Sequence, residues 1–213
     1  MTPAGRLRQV AARGSRSPRL NKWLQSAGIL RRLAAAVRLI AEGRSPRSVV
    51  GFIDIPGHFS VVDSWDRTAR RSGRLPEGVG ENETEGIYVA PESYARYDDI
   101  TRLFTTADAE AWGSGYGRVR ADFQRVFSEV ARPGEQFDDV LTVAIKRLVS
   151  VSIPEGQPEL IEHGALFLYK DPKLEALSDA EKHLLRMGPE NARAMQAFLR
   201  RFAKSAGLNV GGR

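Results

Sequence analysis

The sequence predicts a mainly α protein: a single helical domain with a small β-hairpin element and a C-terminal helix–Gly-Pro–helix pair. Three observations carry that reading. Apolar residues recur every three or four positions along several stretches. Capping and stopping residues stand where those stretches begin and end. Only short runs have the β-branched and aromatic character of strands, "HFSVVD" at 58–63 and "GIYVAP" at 86–91.

Taken in order, residues 1–19 hold five Arg and no acid, with little to bury. They read as a basic, disordered tail that touches anionic surfaces weakly and loses that contact in salt. The globular domain runs over 20–207. A helical pattern begins at Leu20, and Leu30, Leu33, Ala34, Val37, Ile40 and Ala41 share one face until Gly43 stops it. Ser45-Pro46 supplies a cap and a first-turn proline for a short helix. A polar Gly/Glu/Arg-rich loop, mobile over about 70–86, separates the two strand-like runs.

A helix then starts near Asp98, and a longer one runs from Asp108 to about Val130. The clearest apolar stripe is Phe137, Val140, Leu141, Ala144, Ile145 and Leu148. A strand around Ala165–Tyr169 precedes the closing pair. Ser178 and Glu181 have capping-box spacing, and Gly188-Pro189 ends one helix and seeds the next. Leu184, Leu185, Met187, Ala192, Met195, Leu199 and Phe202 are expected to pack this pair on the core, with Asn191 fixing the angle. Residues 208–213 read as a flexible C-terminus.

Composition sets bounds on function. At 42% apolar and 27% charged residues, the chain has the balance of an ordinary globular protein. No uncharged run exceeds eight residues, far from the ~18 apolar residues of a membrane span. As written, the sequence therefore reads as cytoplasmic. The net charge of +6 is local: residues 1–48 carry +10 and the remainder −4. Without Cys there are no disulfides and no thiolate metal sites.

The candidate chemistry is thin. His58, His163 and His183 are far apart and lack metal-ligand spacing, so neither a metal nor a cofactor is expected. "WGSGYGRV" at 112–119 is glycine-rich but has Arg118 where a dinucleotide loop needs its third glycine. Asp98-Asp99, Asp108/Glu110 and Asp138-Asp139 all fall at expected helix starts, where carboxylates cap N–H groups and favour the dipole. "MGPENARAM" has the second half of a phosphate-holding helix-hairpin-helix, yet Arg186 replaces the first glycine and Glu190 would repel a phosphate.

Together, "APESYARYDDI", "FDDVLTVAI", "PEGQPEL" and "LLRMGPENARAMQAFLR" resemble the bacterial family of uncharacterised proteins catalogued as domain of unknown function 3014, over roughly residues 20–206. The resemblance implies an envelope protein whose soluble domain follows a membrane helix, and it implies no activity. Tyr94, Tyr97, Asp98, Phe137, Asp138, Gly188, Pro189 and Asn191 match family segments without an assigned role. Two departures stand out: the membrane helix is missing, and Gly113, Gly115 and Gly117 interrupt an expected helix. The leading reading is a non-catalytic interaction or structural domain with a protein partner. One alternative is a hydrolase or small-ligand-binding protein using carboxylates near Asp98 or Asp138. The other is nucleic-acid binding through the 184–193 corner, which is not favoured.

Overall fold

Several helical segments of this chain open where a short polar side chain precedes a proline. Thr2 accepts a hydrogen bond from the Gly5 N–H and Pro3 sits at the first helical position, starting α1 (Pro3–Gly14). Ser17 and Pro18 do the same for α2 (Pro18–Trp23). The structure, a computed structural model, describes residues 1–64 and 85–211. It corrects the expectation of a disordered tail over 1–19. Leu7, Val10 and Ala11 are buried on one face of α1, and Arg6 grips the nearly buried Asp122 carboxylate through two hydrogen bonds. The apolar i, i+3, i+4 spacing inside an arginine-rich segment is what docks it.

Gly28, at φ 66°, opens α3 (Ile29–Ala41), and Gly43, at φ 78°, terminates it. Both sit where a Cβ would be strained. Ser45 caps a short 3₁₀ turn, Pro46–Ser48. Strands β1 (Val61–Ser64) and β2 (Glu85–Val89) pair antiparallel, Val61 opposite Val89 and Val62 opposite Tyr88. The loop expected over about 70–86 lies outside the described residues except for its last positions, which belong to β2.

The hairpin is half of the sheet. Strands β3 (Glu159–His163) and β4 (Leu166–Tyr169) extend it to four antiparallel strands in the order β1–β2–β3–β4. β4 is the strand expected near 165–169. β3 escapes a pattern reading because Glu159, Glu162 and His163 give "ELIEH" little apolar alternation. Leu160 and Tyr169 face each other on the buried side.

After β2 come α4 (Pro91–Ala95), α5 (Asp98–Thr105), α6 (Ala109–Tyr116), α7 (Arg120–Ser128) and α8 (Phe137–Val149). After the sheet come α9 (Pro172–Glu175), α10 (Asp179–Leu185) and α11 (Pro189–Ala206). The single helix expected over 108–130 is thus two, broken at Gly117–Val119. Its glycines have a packing cause. A Cβ on Gly113 would lie 2.6 Å from the Phe202 carbonyl oxygen of α11, and one on Gly115 would lie 2.8 Å from Val10 of α1. Bare backbone lets α6 lie against both neighbours at once.

The main core joins α1, α3, α5 to α8 and α11 around Phe127 and Phe137, which are almost inaccessible. A second cluster fills the space beneath the sheet with Val89, Leu160, Tyr169, Leu184, Leu185 and Met187. The expected packing of the closing pair holds, with Leu184, Leu185, Met187 and Ala192 buried and Met195, Leu199 and Phe202 half-buried against these clusters. Helix ends are tied across elements. Buried Gln196 donates to the Leu148 and Val151 carbonyls at 2.8 and 2.9 Å, satisfying acceptors that α8 leaves open at its C-terminus. The flexible terminus expected from 208 is also corrected. The Leu208 N–H reaches back to the Ala203 carbonyl at 2.9 Å after left-handed Gly207, and its side chain is buried.

Candidate functional site

The eight family-matching positions fall into two groups. Tyr94, Tyr97, Asp98, Gly188, Pro189 and Asn191 gather at one corner, where α4 and α5 cross the α10–α11 turn. Gly188 has φ 86° and ψ 158°, and a Cβ there would lie 2.8 Å from Cγ of Tyr94. Pro189 begins α11 without the N–H that this turn could not satisfy. The Asn191 amide then donates to the Met187 carbonyl (2.9 Å), the Asp98 carboxylate (3.0 Å) and the Tyr94 carbonyl (3.3 Å). Three acceptors share its two hydrogens, so the group is saturated.

Tyr97 is buried beneath Arg96, whose guanidinium lies 5.3 Å from the ring centroid and donates to the phenol oxygen at 3.2 Å. Burial raises the pKa of Tyr94, with Tyr169 close by. Burial also pushes Tyr169 up to about 12. The N–H groups of the turn are engaged too: Gly188 donates to the Leu185 carbonyl at 3.0 Å. Arg193 is held by the Pro154 carbonyl at 3.0 Å, and Glu190 stands exposed in the first turn of α11.

Phe137 and Asp138 lie elsewhere, at the start of α8. Phe137 stacks on Phe123 with centroids 5.0 Å apart and meets Phe127 edge-on at 5.6 Å. Asp138 accepts from the Tyr116 hydroxyl at 2.6 Å and pairs with Arg120 Nε at 2.9 Å. Burial, then the Asp138 hydrogen bond, raise the Tyr116 pKa, so this phenol is a firmly protonated donor. All three acidic pairs stand at helix starts. Asp98-Asp99 and Asp138-Asp139 occupy first turns, and Asp108 caps α6 by accepting from the Glu110 and Ala111 N–H groups.

A feature that periodicity could not reveal lies between the helices. An apolar cavity of about 380 Å³ is walled by α1, α2, α3, α8 and α11 together with Phe52, and its lining includes Tyr116 and Phe137. Tyr94, Tyr97, Asp98 and Asp138 are not part of that lining. The nearest sequence signal is Ala36 of α3, a small residue in the lining where a larger side chain would fill space.

Comparison with known proteins bears on both groups. The family described as "Protein of unknown function (DUF3014)" matches residues 29–203. The chain belongs to this family. Both clusters lie inside the DUF3014 segment, whereas α1 and α2 precede it and still supply part of the cavity wall. No curated protein and no solved structure matches the chain. Among the described residues, no three His, Asp or Glu side chains are grouped to hold a metal, and no helix is long and apolar enough to cross a membrane. The Tyr116–Asp138–Arg120 contact of this DUF3014 member was out of reach of sequence spacing, because its partners come from three different helices.

Proposed function

We propose that this DUF3014 protein is a non-catalytic interaction or structural domain. The supporting observation is how the family-matching polar groups are used. Asn191 joins α11 to Asp98 of α5 and to the backbone at Tyr94 and Met187, while Asp138 joins α8 to Tyr116 and Arg120. Groups engaged this way position helices. The buried tyrosines beside them shift upward in pKa, away from the range in which a phenol serves as a base near neutrality. Placement at the bacterial envelope, with a protein partner, belongs to the same reading and rests on the family resemblance; cell fractionation tests it.

The decisive experiment compares wild type, Asp98→Asn and Asp138→Asn on ester, phosphoester, glycoside and peptide substrates, with melting curves alongside. The expected result is no turnover above a matched control and a lower melting temperature for both variants. Wild-type turnover that disappears in either variant with its circular dichroism unchanged would overturn the proposal.

A further inference from the structure

We infer that the cavity between α1, α3, α8 and α11 binds a single-chain amphiphile, its apolar chain inside and an anionic head at the Arg19–Lys22 mouth. This goes beyond the reading above and concerns a different part of the fold. The interior is close to purely apolar, with Leu33, Val37 and Ile40 from α3 facing Leu141 and Ile145 of α8 and Leu199 of α11. Two polar side-chain atoms at its wall are already engaged: Trp112 Nε1 donates to the Ala11 carbonyl at 2.9 Å, and the Tyr116 hydroxyl donates to Asp138 at 2.6 Å. A polar metabolite would find nothing to bond inside. Natural cores contain few voids larger than a water molecule, and an apolar cavity of about 150 Å³ already takes benzene. In proportion, about 380 Å³ holds about 15 carbon atoms. A helix from a partner, ~10–12 Å across with its side chains, does not fit a space of that size.

The mouth supplies the second half of the argument. A depression of about 490 Å³ adjoins the cavity, and Trp23 and Phe52 line both. Their rings meet edge-on with centroids 6.5 Å apart, where the apolar cavity meets the more polar depression. The wet side carries Arg19 and Lys22, with Asp54 as the one carboxylate in its lining. Arg19 is fixed in place: it donates to the Asp54 carbonyl at 2.6 Å, lies 3.6 Å from the Asp99 carboxylate and sits over Trp23 at 5.4 Å. Arg32 covers Phe52 from outside at 5.9 Å. Lys22 is exposed, and Arg19, Lys22 and Arg32 against Asp54 and Asp99 leave the mouth one net positive charge. An apolar chain ending in a carboxylate or phosphate matches this gradient, and the head groups are separable by experiment.

The test uses the full chain with myristate, tetradecyl phosphate and the neutral alcohol tetradecanol, read by calorimetry and by melting temperature. Myristate or tetradecyl phosphate should raise the melting temperature, and whichever head is preferred identifies the source; tetradecanol should bind about tenfold more weakly, for lack of a charge. Val37→Trp, which fills the cavity from α3, should keep its circular dichroism and lose binding of all three. If that variant does not fold, Ala36→Leu serves the same purpose. Lys22→Glu should weaken the anionic ligands severalfold and leave tetradecanol unchanged. No binding by wild type, undiminished binding in the folded filled variant, or equal binding of charged and neutral ligands would each overturn the inference.

Discussion

At the scale of single residues, Gly188 is the most constrained position. The sequence marks it as a stop, and a simple left-handed stop would favour Asn over Val as a replacement. Its ψ of 158° lies outside the left-handed helical well, in a region essentially reserved for glycine. Gly188→Asn should therefore be nearly as damaging as Gly188→Ala, each losing at least the ~1–3 kcal/mol of backbone strain before the clash with Tyr94 is added. Urea melts of both variants, alone and with Tyr94→Ala, check this; removing Cγ and Cδ1 of Tyr94 should recover part of the loss. Asp138→Asn should cost about 1–3 kcal/mol, above the ~0.3–1 of a bare helix-dipole partner, because the carboxylate also serves Tyr116 and Arg120. His183 gives a pH signature. Burial, followed by the nearby Arg186, Arg47 and Arg96, holds its pKa below the ordinary value, while its Nδ1 lies 3.2 Å from the Ser45 hydroxyl. With a depressed folded pKa, its contribution is complete above the unfolded pKa of about 6.5 and is lost as pH falls through the folded value. Melting temperature should fall between about pH 7 and 5 in wild type, and His183→Gln should flatten that slope. Capping and stopping residues such as Ser178, Glu181 and Gly188 were legible because their signals are local. Asn191's partners Tyr94 and Asp98 were not, since they approach from almost a hundred residues away.

At the scale of elements, the arginine-rich start of the chain is the instructive case. Composition argues for a tail; the spacing of Leu7, Val10 and Ala11 argues for a helix face, and burial against α6 decides for the helix. Deleting residues 1–16 should therefore lower the melting temperature. Leu7→Ala alone should cost about 2–5 kcal/mol in urea denaturation. An unchanged midpoint would mean that α1 is only loosely attached. The helix–turn–helix close and the α8 stripe were readable because one amphipathic face repeats at a fixed period. The fracture of the 108–130 helix and the strand β3 were not readable. The break falls at Gly117–Val119, beyond the packed Gly113 and Gly115, where a run of apolar residues on either side masks it; β3 depends on pairing with β4.

At the scale of the whole molecule, part of the charge asymmetry of the sequence is satisfied internally. Arg6 reaches Asp122, Arg31 reaches Glu129, and Arg38 reaches Glu135, so the basic first quarter clasps acids carried by later helices. Of these, the exposed Arg31–Glu129 pair contributes ~0–1 kcal/mol and is screened by salt. Raising sodium chloride from about 0.05 to 0.5 M should lower the melting temperature modestly in wild type, and less in Arg31→Gln. The same pairs leave Arg8 and Arg13 of α1, and Arg16 just after it, as exposed cations, fewer than a count of arginines suggests. The cavity is the property least visible in the sequence. It is a volume bounded by many side chains, and no single residue or period records it.

The glycine face of α6 also bears on how the chain is made. Helices α1 and α11 both rest on α6, one at Gly115 and the other at Gly113. During synthesis α1 emerges long before α11 exists, and α6 must wait with its Gly113 side uncovered until residue 206 has left the ribosome. Assembly of the core therefore waits for the synthesis of α11. A chain cut short before α11 presents its apolar interior to the cell, and quality control meets it as an open fragment.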